Sequence, residues 1–284
     1  YARGLKTQET KLITLIVPDT MNPFFAAFTQ YVERTLYEHE YKLILCCANG
    51  IPEKEIGYLN LASQSKTDGI IALTYTDVSS AIPARIPIVS FDRYFEDHDV
   101  PMIASDNFQG GYTGTKKLME LGCHHPVFIR FRSKFPSEAD KRMEGYLSAC
   151  QELGIRPDYL DQIDAIKERE ILEDFIQDHT DSHGRLTFDG VFANTDRQAY
   201  MVMKILKERG IRIPEDVQIL GFDGIRKYGI DEGALFVSSM CQPVEALGKL
   251  CVETLLKKRQ GIVVPTLSLL PVTYCYGGTT RRES

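Results

Sequence analysis

The chain has 284 residues, 43% of them hydrophobic and 25% charged, with a formal net charge of −6. That length builds one large or two medium domains with real cores, and the charge gives no global basic field for nucleic acid. No apolar run approaches the roughly 18–20 residues that span a bilayer; the absence of a secretory pattern in residues 1–11 and an odd count of seven cysteines lead to the expectation of reduced thiols in a cytoplasm.

Along the chain, strand-like and helix-like segments alternate. Residues 12–17 (LITLIV) read as a strand that stops at Pro18 and Asp19. Asn22 and Pro23 then signal a helix start, an N-cap followed by proline in the first turn. The spacing predicts a helix over 23–38 with Phe25, Phe28, Val32 and Leu36 on one face. Phe24 falls off that face and is expected to lie outside the core. A strand at 42–47, a helix at 53–65 and strands at 69–74, 86–91 and 102–105 follow. The pattern restarts with a helix at 110–121, a strand at 126–130 and helices at 138–153 and 167–178. It continues with a strand at 190–193, a helix at 197–209 and a strand at 217–222. Gly122, Gly154 and Gly210 close helices.

Alternation of this kind predicts an α/β protein with doubly wound parallel sheets and helices on both faces. The late helix at 243–258 and the strand-like run at 267–276 must join sheets already begun. If one joins each domain, the chain crosses over three times, and three crossovers form a hinge that permits closure around a ligand.

The two halves echo each other. Asp92 in VSFDR and Asp223 in ILGFDGI each stand just past an apolar strand. Ligands of open parallel sheets sit beyond the carboxyl ends of the strands, so the two acids either meet in one cleft or merely cap their own turns. Arg142, near a helix start, either grips a polar ligand with its planar fork or lies on the surface beside Glu138. Asn194 and Thr195 either cap the helix that begins at Asp196 or point toward the ligand. The glycines of QGGYTG at 109–114 suit close helix packing better than a phosphate cradle. Cys123, His124 and His125 are adjacent, which is poor geometry for one metal ion. The lone His39, His98, His179 and His183 sit in polar stretches and read as solvated.

Carboxylates, an arginine, amides and aromatics suit a polyhydroxylated ligand. With no nucleophile–base pair, no metal cluster and no cofactor motif, a binding protein is favoured over an enzyme.

The chain resembles the effector-binding core of LacI/GalR-type transcriptional repressors. The stretches ARGLKT, VPDTMNPFF, YKLILC, DGII, SFDR, VPMIASDNFQGG, FANTDRQA, PEDVQILGFDGI and LPVTYCYGGTTR carry the resemblance, in family order. It implies the fold of periplasmic sugar-binding proteins: two α/β subdomains joined by three crossovers. The implied division is a hinge-helix remnant at 1–7, one subdomain at 8–106 plus 241–268, and the other at 107–240 plus 269–284.

The resemblance also implies roles. Phe24 and Phe25 line the effector pocket, Asp92, Asp223 and Arg142 hydrogen-bond the effector, and Thr195 and Asp196 form a pocket-side pair. Leu5 is the leucine wedged into the DNA minor groove. A family aromatic has no counterpart in QIDAIKERE. The implied partners are a sugar effector, with sucrose or another fructose-containing sugar favoured while LPVTY and TTRRES resemble ribose-responsive members just as well, operator DNA for the full-length protein, a homodimer partner, and in some members a phosphocarrier protein as coregulator. The expected location is the cytoplasm, with no membrane contact and a helix-turn-helix domain outside this chain. The alternative is an exported solute-binding protein of a sugar transporter, which would share the fold.

Overall fold

The computed structural model describes residues 9–282 except 75, 77, 96–97, 164–165 and 228–232. Leu5 and the hinge resemblance at 1–7 lie outside the described residues. The chain divides into two units: one runs to Ser105 and resumes over Pro243–Leu270, and the other holds Asp106–Gln242 and the segment from Pro271 onward. Connectivity therefore passes between them three times.

In the first unit, β1 (Leu12–Val17), β2 (Lys42–Cys47), β3 (Gly69–Ala72), β4 (Ile88–Phe91), β5 (Met102–Ser105) and β11 (Leu267–Leu270) form one sheet. Its order is β11-β5-β4-β3-β1-β2, with every pair parallel. Helices α1 (Pro23–Glu38) and α7 (Val244–Arg259) belong to this unit, with α2 (Pro52–Gln64). Strand alternation sorts the core: Ile13, Leu15 and Val17 pack with Phe28, Val32, Leu247 and Leu255, while Ile16 packs with Leu59 and Ile70.

In the second unit, β6 (Pro126–Arg132), β7 (Tyr159–Ile163), β8 (Gly190–Ala193), β9 (Gln218–Asp223), β10 (Ser238–Cys241) and β12 (Thr273–Cys275) form the other sheet. Its order is β12-β10-β9-β8-β6-β7, parallel except for the antiparallel edge pair β10–β12. The helices are α3 (Asn107–Glu120), α4 (Lys141–Leu153), α5 (Glu168–Asp178) and α6 (Asp196–Glu208). Val127 and Ile129 face Leu172, Val202 and Leu206, whereas Phe128, Phe192 and Phe222 face Leu118 and Tyr146.

Two strands carry no apolar signature in the sequence. In β7 only Leu160 is buried, as suits a sheet edge. In β10 the buried side chains include two serines with partners distant in sequence, and Ser239 Oγ donates to Asp196 Oδ1 at 2.6 Å. Ser238 Oγ accepts from Gly277 N at 2.9 Å and Thr280 Oγ1 at 2.9 Å, and Ser238 N donates to Thr279 Oγ1 at 2.8 Å. The predicted run 267–276 is in fact two strands, β11 and β12, broken at Pro271 and Val272 and assigned to different sheets. The predicted helix 110–121 starts earlier, because the Asp106 side chain accepts from Gln109 N at 3.0 Å and caps it.

The glycines of α3 serve close packing. A Cβ on Gly111 would collide with the Arg142 carbonyl, and one on Gly145 with the Phe108 carbonyl. One on Gly110 would meet Phe222 at 2.7 Å. The helices α3 and α4 therefore cross backbone to backbone, which fixes where Arg142 leaves α4. Gly111→Ala should destabilise the chain by about 3 kcal/mol, because the obstructing atom is main chain and cannot rotate away. Gly57, in α2 with open space around it, is the contrast: Gly57→Ala should stabilise by roughly 0.5–1 kcal/mol. Urea unfolding of the two variants checks both signs.

Candidate functional site

In the first unit, Phe24 and Phe25 follow β1 and Asp92 follows β4, at the carboxyl end of a sheet in which the connections from β1 and β3 run to opposite sides. Asp19 Oδ1 accepts from the amides of Met21 and Asn22, each at 2.8 Å, and the Asn22 side chain accepts from Phe24 N at 3.0 Å. This capped turn starts α1 with its first two phenylalanines at the strand mouth. The expectation that Phe24 stays outside the core is wrong. Phe24 is only 8% exposed. It meets Phe25 edge-on at 5.7 Å and stacks on Phe91 at 6.1 Å. Helical spacing considered one face of α1, and Phe91 at the end of β4 supplies a second surface.

Asp92 follows Phe91 with φ 60, and Asp223 at the end of β9 has φ 123. Left-handed backbone at a non-glycine residue is strained by about 1–3 kcal/mol and concentrates at functional sites. The echo seen in the sequence is thus an echo in conformation.

In the second unit Arg142 is buried, and the surface alternative is excluded. Its Nε donates to Asn107 Oδ1 at 2.7 Å and its Nη1 to the Asn194 carbonyl at 2.6 Å. The guanidinium lies 3.7 Å from the Phe222 ring centre, and Nη1 lies 3.7 Å from Asp223 Oδ1. Glu138 pairs with Lys141 instead, at 2.7 Å.

Asp223 Oδ1 also accepts from Gln242 Nε2 at 2.8 Å. Burial pushes the Asp223 carboxyl up to about 6, against the opposing pull of Arg142 and Gln242. Asp196 is held well above the usual carboxylate range by burial and by the charge of Asp223. Both of its oxygens are already engaged: Oδ1 accepts from Ser239 Oγ and Oδ2 from Ile225 N, each at 2.6 Å. A Cβ at Gly221 would collide with Asp196, so glycine is required there. Thr195 Oγ1 accepts from Gln198 N at 3.3 Å and caps α6.

The structure thus brings Arg142, Asp196 and Asp223 together in one unit, and places Asp92 beside Phe91, on which Phe24 stacks, in the other. Asn107 and Gln242, which orient Arg142 and Asp223, were not singled out from the sequence. Their partners are 35 and 19 residues away, and no local spacing signals such bonds. Elsewhere, the amides of His124 and His125 bind the Asp189 carboxylate, while burial raises the Cys123 thiol to about 12. His179, expected to be solvated, packs on Phe175 at 4.1 Å and bonds Asp158 at 3.0 Å.

Residues 10–262 match the family model for periplasmic binding proteins and the sugar binding domain of the LacI family. The sucrose operon repressor of Streptococcus mutans is 29% identical, over 95% of this chain and 82% of its own length. The ribose operon repressor of Halalkalibacterium halodurans is 32% identical, over 90% of this chain and 75% of its own. Among solved structures, a periplasmic binding protein/LacI transcriptional regulator from Alkaliphilus metalliredigens complexed with D-xylulofuranose superposes with a TM-score of 0.81 at 28% identity. That match covers 96% of this chain and 100% of the other.

The raised Asp223 carboxyl has a consequence for stability. Below about pH 4 the group is protonated whether the chain is folded or unfolded. Between about pH 4 and 6 the folded chain keeps a proton that the unfolded chain has released, so rising pH favours unfolding. Asp223→Asn lacks that titration. Its stability relative to the wild type should rise as pH is raised through this window, as read from urea midpoints at several pH values. A constant offset would contradict the assignment.

Proposed function

The chain belongs to the LacI/GalR family as its effector-binding core, and from that premise we propose that it senses a small sugar within a cytoplasmic, homodimeric repressor of a carbohydrate operon. The observation that carries the reading is Arg142, buried and oriented beside the strained Asp223. Guanidinium donors and carboxylate acceptors side by side suit hydroxyl groups, which both accept and donate. We assign Phe24, Phe25 and Asp92 of the first unit, and Arg142, Thr195 and Asp223 of the second, as effector contacts. Asp196 acts differently: with both oxygens committed to Ser239 and Ile225, it positions the turn after Asp223.

Two relatives are named for sucrose and ribose operons, and a structural relative is complexed with D-xylulofuranose. Xylulofuranose and the fructosyl half of sucrose share a ketofuranose ring, and that ring is the ligand we favour. The curated relatives are repressors, which supports a regulator over both an enzyme and the exported solute-binding protein of a transporter. Operator DNA is the partner of the full-length protein. To act as a switch, the sugar must bind one conformer of the repressor more tightly than another.

Thermal-shift and calorimetric titration of the chain with D-xylulose, D-fructose, sucrose and D-ribose tests the reading. A sugar at about 100 times its Kd should add roughly 2.7 kcal/mol of stability. Arg142→Gln and Asp92→Asn should each weaken that sugar at least about tenfold, the scale of one lost charge-assisted hydrogen bond. No binding by any sugar, or binding indifferent to both variants, would sink it.

A further inference from the structure

In the second sheet the connections diverge between β6 and β8: β7 lies to one side and β9 to the other. Open α/β sheets place their ligands at this kind of junction. Two buried amide side chains there hold acceptor atoms that the protein leaves unfilled. Asn194 directly follows β8 and is 6% exposed, yet its Oδ1 has no hydrogen-bond partner. Its main chain is fully used: the NH donates to the Ile129 carbonyl at 2.8 Å, and the carbonyl accepts from Arg142. The residue is fixed in place while its side chain contributes no bond to the fold. Gln198, 3% exposed, donates Nε2 to the Phe131 carbonyl at 3.0 Å, and its Oε1 is likewise unpartnered. Asn194 stands one residue past the end of β8 (Gly190–Ala193), beside the Arg142 guanidinium that its carbonyl receives.

Buried amide oxygens without donors destabilise a fold, so a protein keeps them where something else fills them. Resting on the sugar reading above, we propose that Asn194 is a specificity-determining contact whose Oδ1 accepts the proton of a ring hydroxyl, and that the effector is a free sugar rather than its phosphate ester. The surrounding groups point the same way. Arg142 Nε and Nη1 already donate to Asn107 and the Asn194 carbonyl, while Asn194 Oδ1, Gln198 Oε1 and the Asp223 carboxylate can each take a donor. Hydroxyls supply donors; a phosphate brings further acceptors and negative charge.

The test starts with the wild-type chain, titrated calorimetrically with D-fructose, sucrose, D-xylulose and D-ribose and with fructose 6-phosphate, sucrose 6-phosphate and ribose 5-phosphate. Silence toward all of them overturns the sugar reading itself, before any variant is made. Given a binding sugar, Asn194→Ala should leave the Tm of the ligand-free chain unchanged or higher while weakening that sugar at least tenfold. Among its monodeoxy analogues, one should bind wild type and variant equally. That combination of kept stability and position-specific loss is one a structural residue does not give. A lowered Tm with uniform loss across the analogues would make Asn194 structural. Unchanged affinity would mean that its oxygen serves only an internal water. A phosphate ester binding more tightly than its parent sugar would overturn the choice of a neutral effector.

Discussion

The second unit depends on keeping one guanidinium inside the protein. A buried charge is tolerated only when its donors are met. For Arg142, Asn107 and the Asn194 carbonyl each meet one donor, and the Phe222 face and the Asp223 carboxylate lie beside the guanidinium. The bond to Asn107 would not form if α4 stood farther from α3. The crossing of Gly111 against the Arg142 carbonyl, and of Gly145 against Phe108, brings the two helices to backbone contact. Two hydrogens in place of two methyl groups thus decide where the charge sits. The charge in turn opposes the upward push of burial on the Asp223 carboxyl.

Around this pair, neighbouring side chains hold the strand-end turns in place. Asp196 and Ser239 tie down the turn after Asp223, and Gln242 bonds Asp223 itself. Asp19 and Asn22 shape the turn that presents Phe24 and Phe25. Backbone strain at Asp92, just past β4, and at Asp223, the last residue of β9, persists because each strand is fully buried in its sheet.

Much of the fold was legible because its strands are continuous apolar runs and its helices carry ordinary caps. Leu12–Val17, Pro23–Glu38 and Gly190–Ala193 have the bounds that pattern and capping predict. The misses share a cause. Tyr159–Ile163 is an edge strand with polar faces, and Ser238–Cys241 buries serines that the distant Gly277, Thr279 and Thr280 satisfy. Of the site, Asp92, Asp223 and Arg142 stood out through strand ends and a helix start. Asn107, Gln242 and Gln198 did not, since their parts are set by bonds between elements. Phe24 was misjudged because burial by a strand-end aromatic leaves no trace in helical spacing.

The most direct measurement is a crystal structure of the chain grown with its tightest-binding sugar. Ring hydroxyls are expected within about 3 Å of Arg142 and Asp223, and of Asp92. A sugar bound away from the carboxyl ends of the sheets, with Arg142 and Asp223 keeping only their present protein partners, would contradict that expectation.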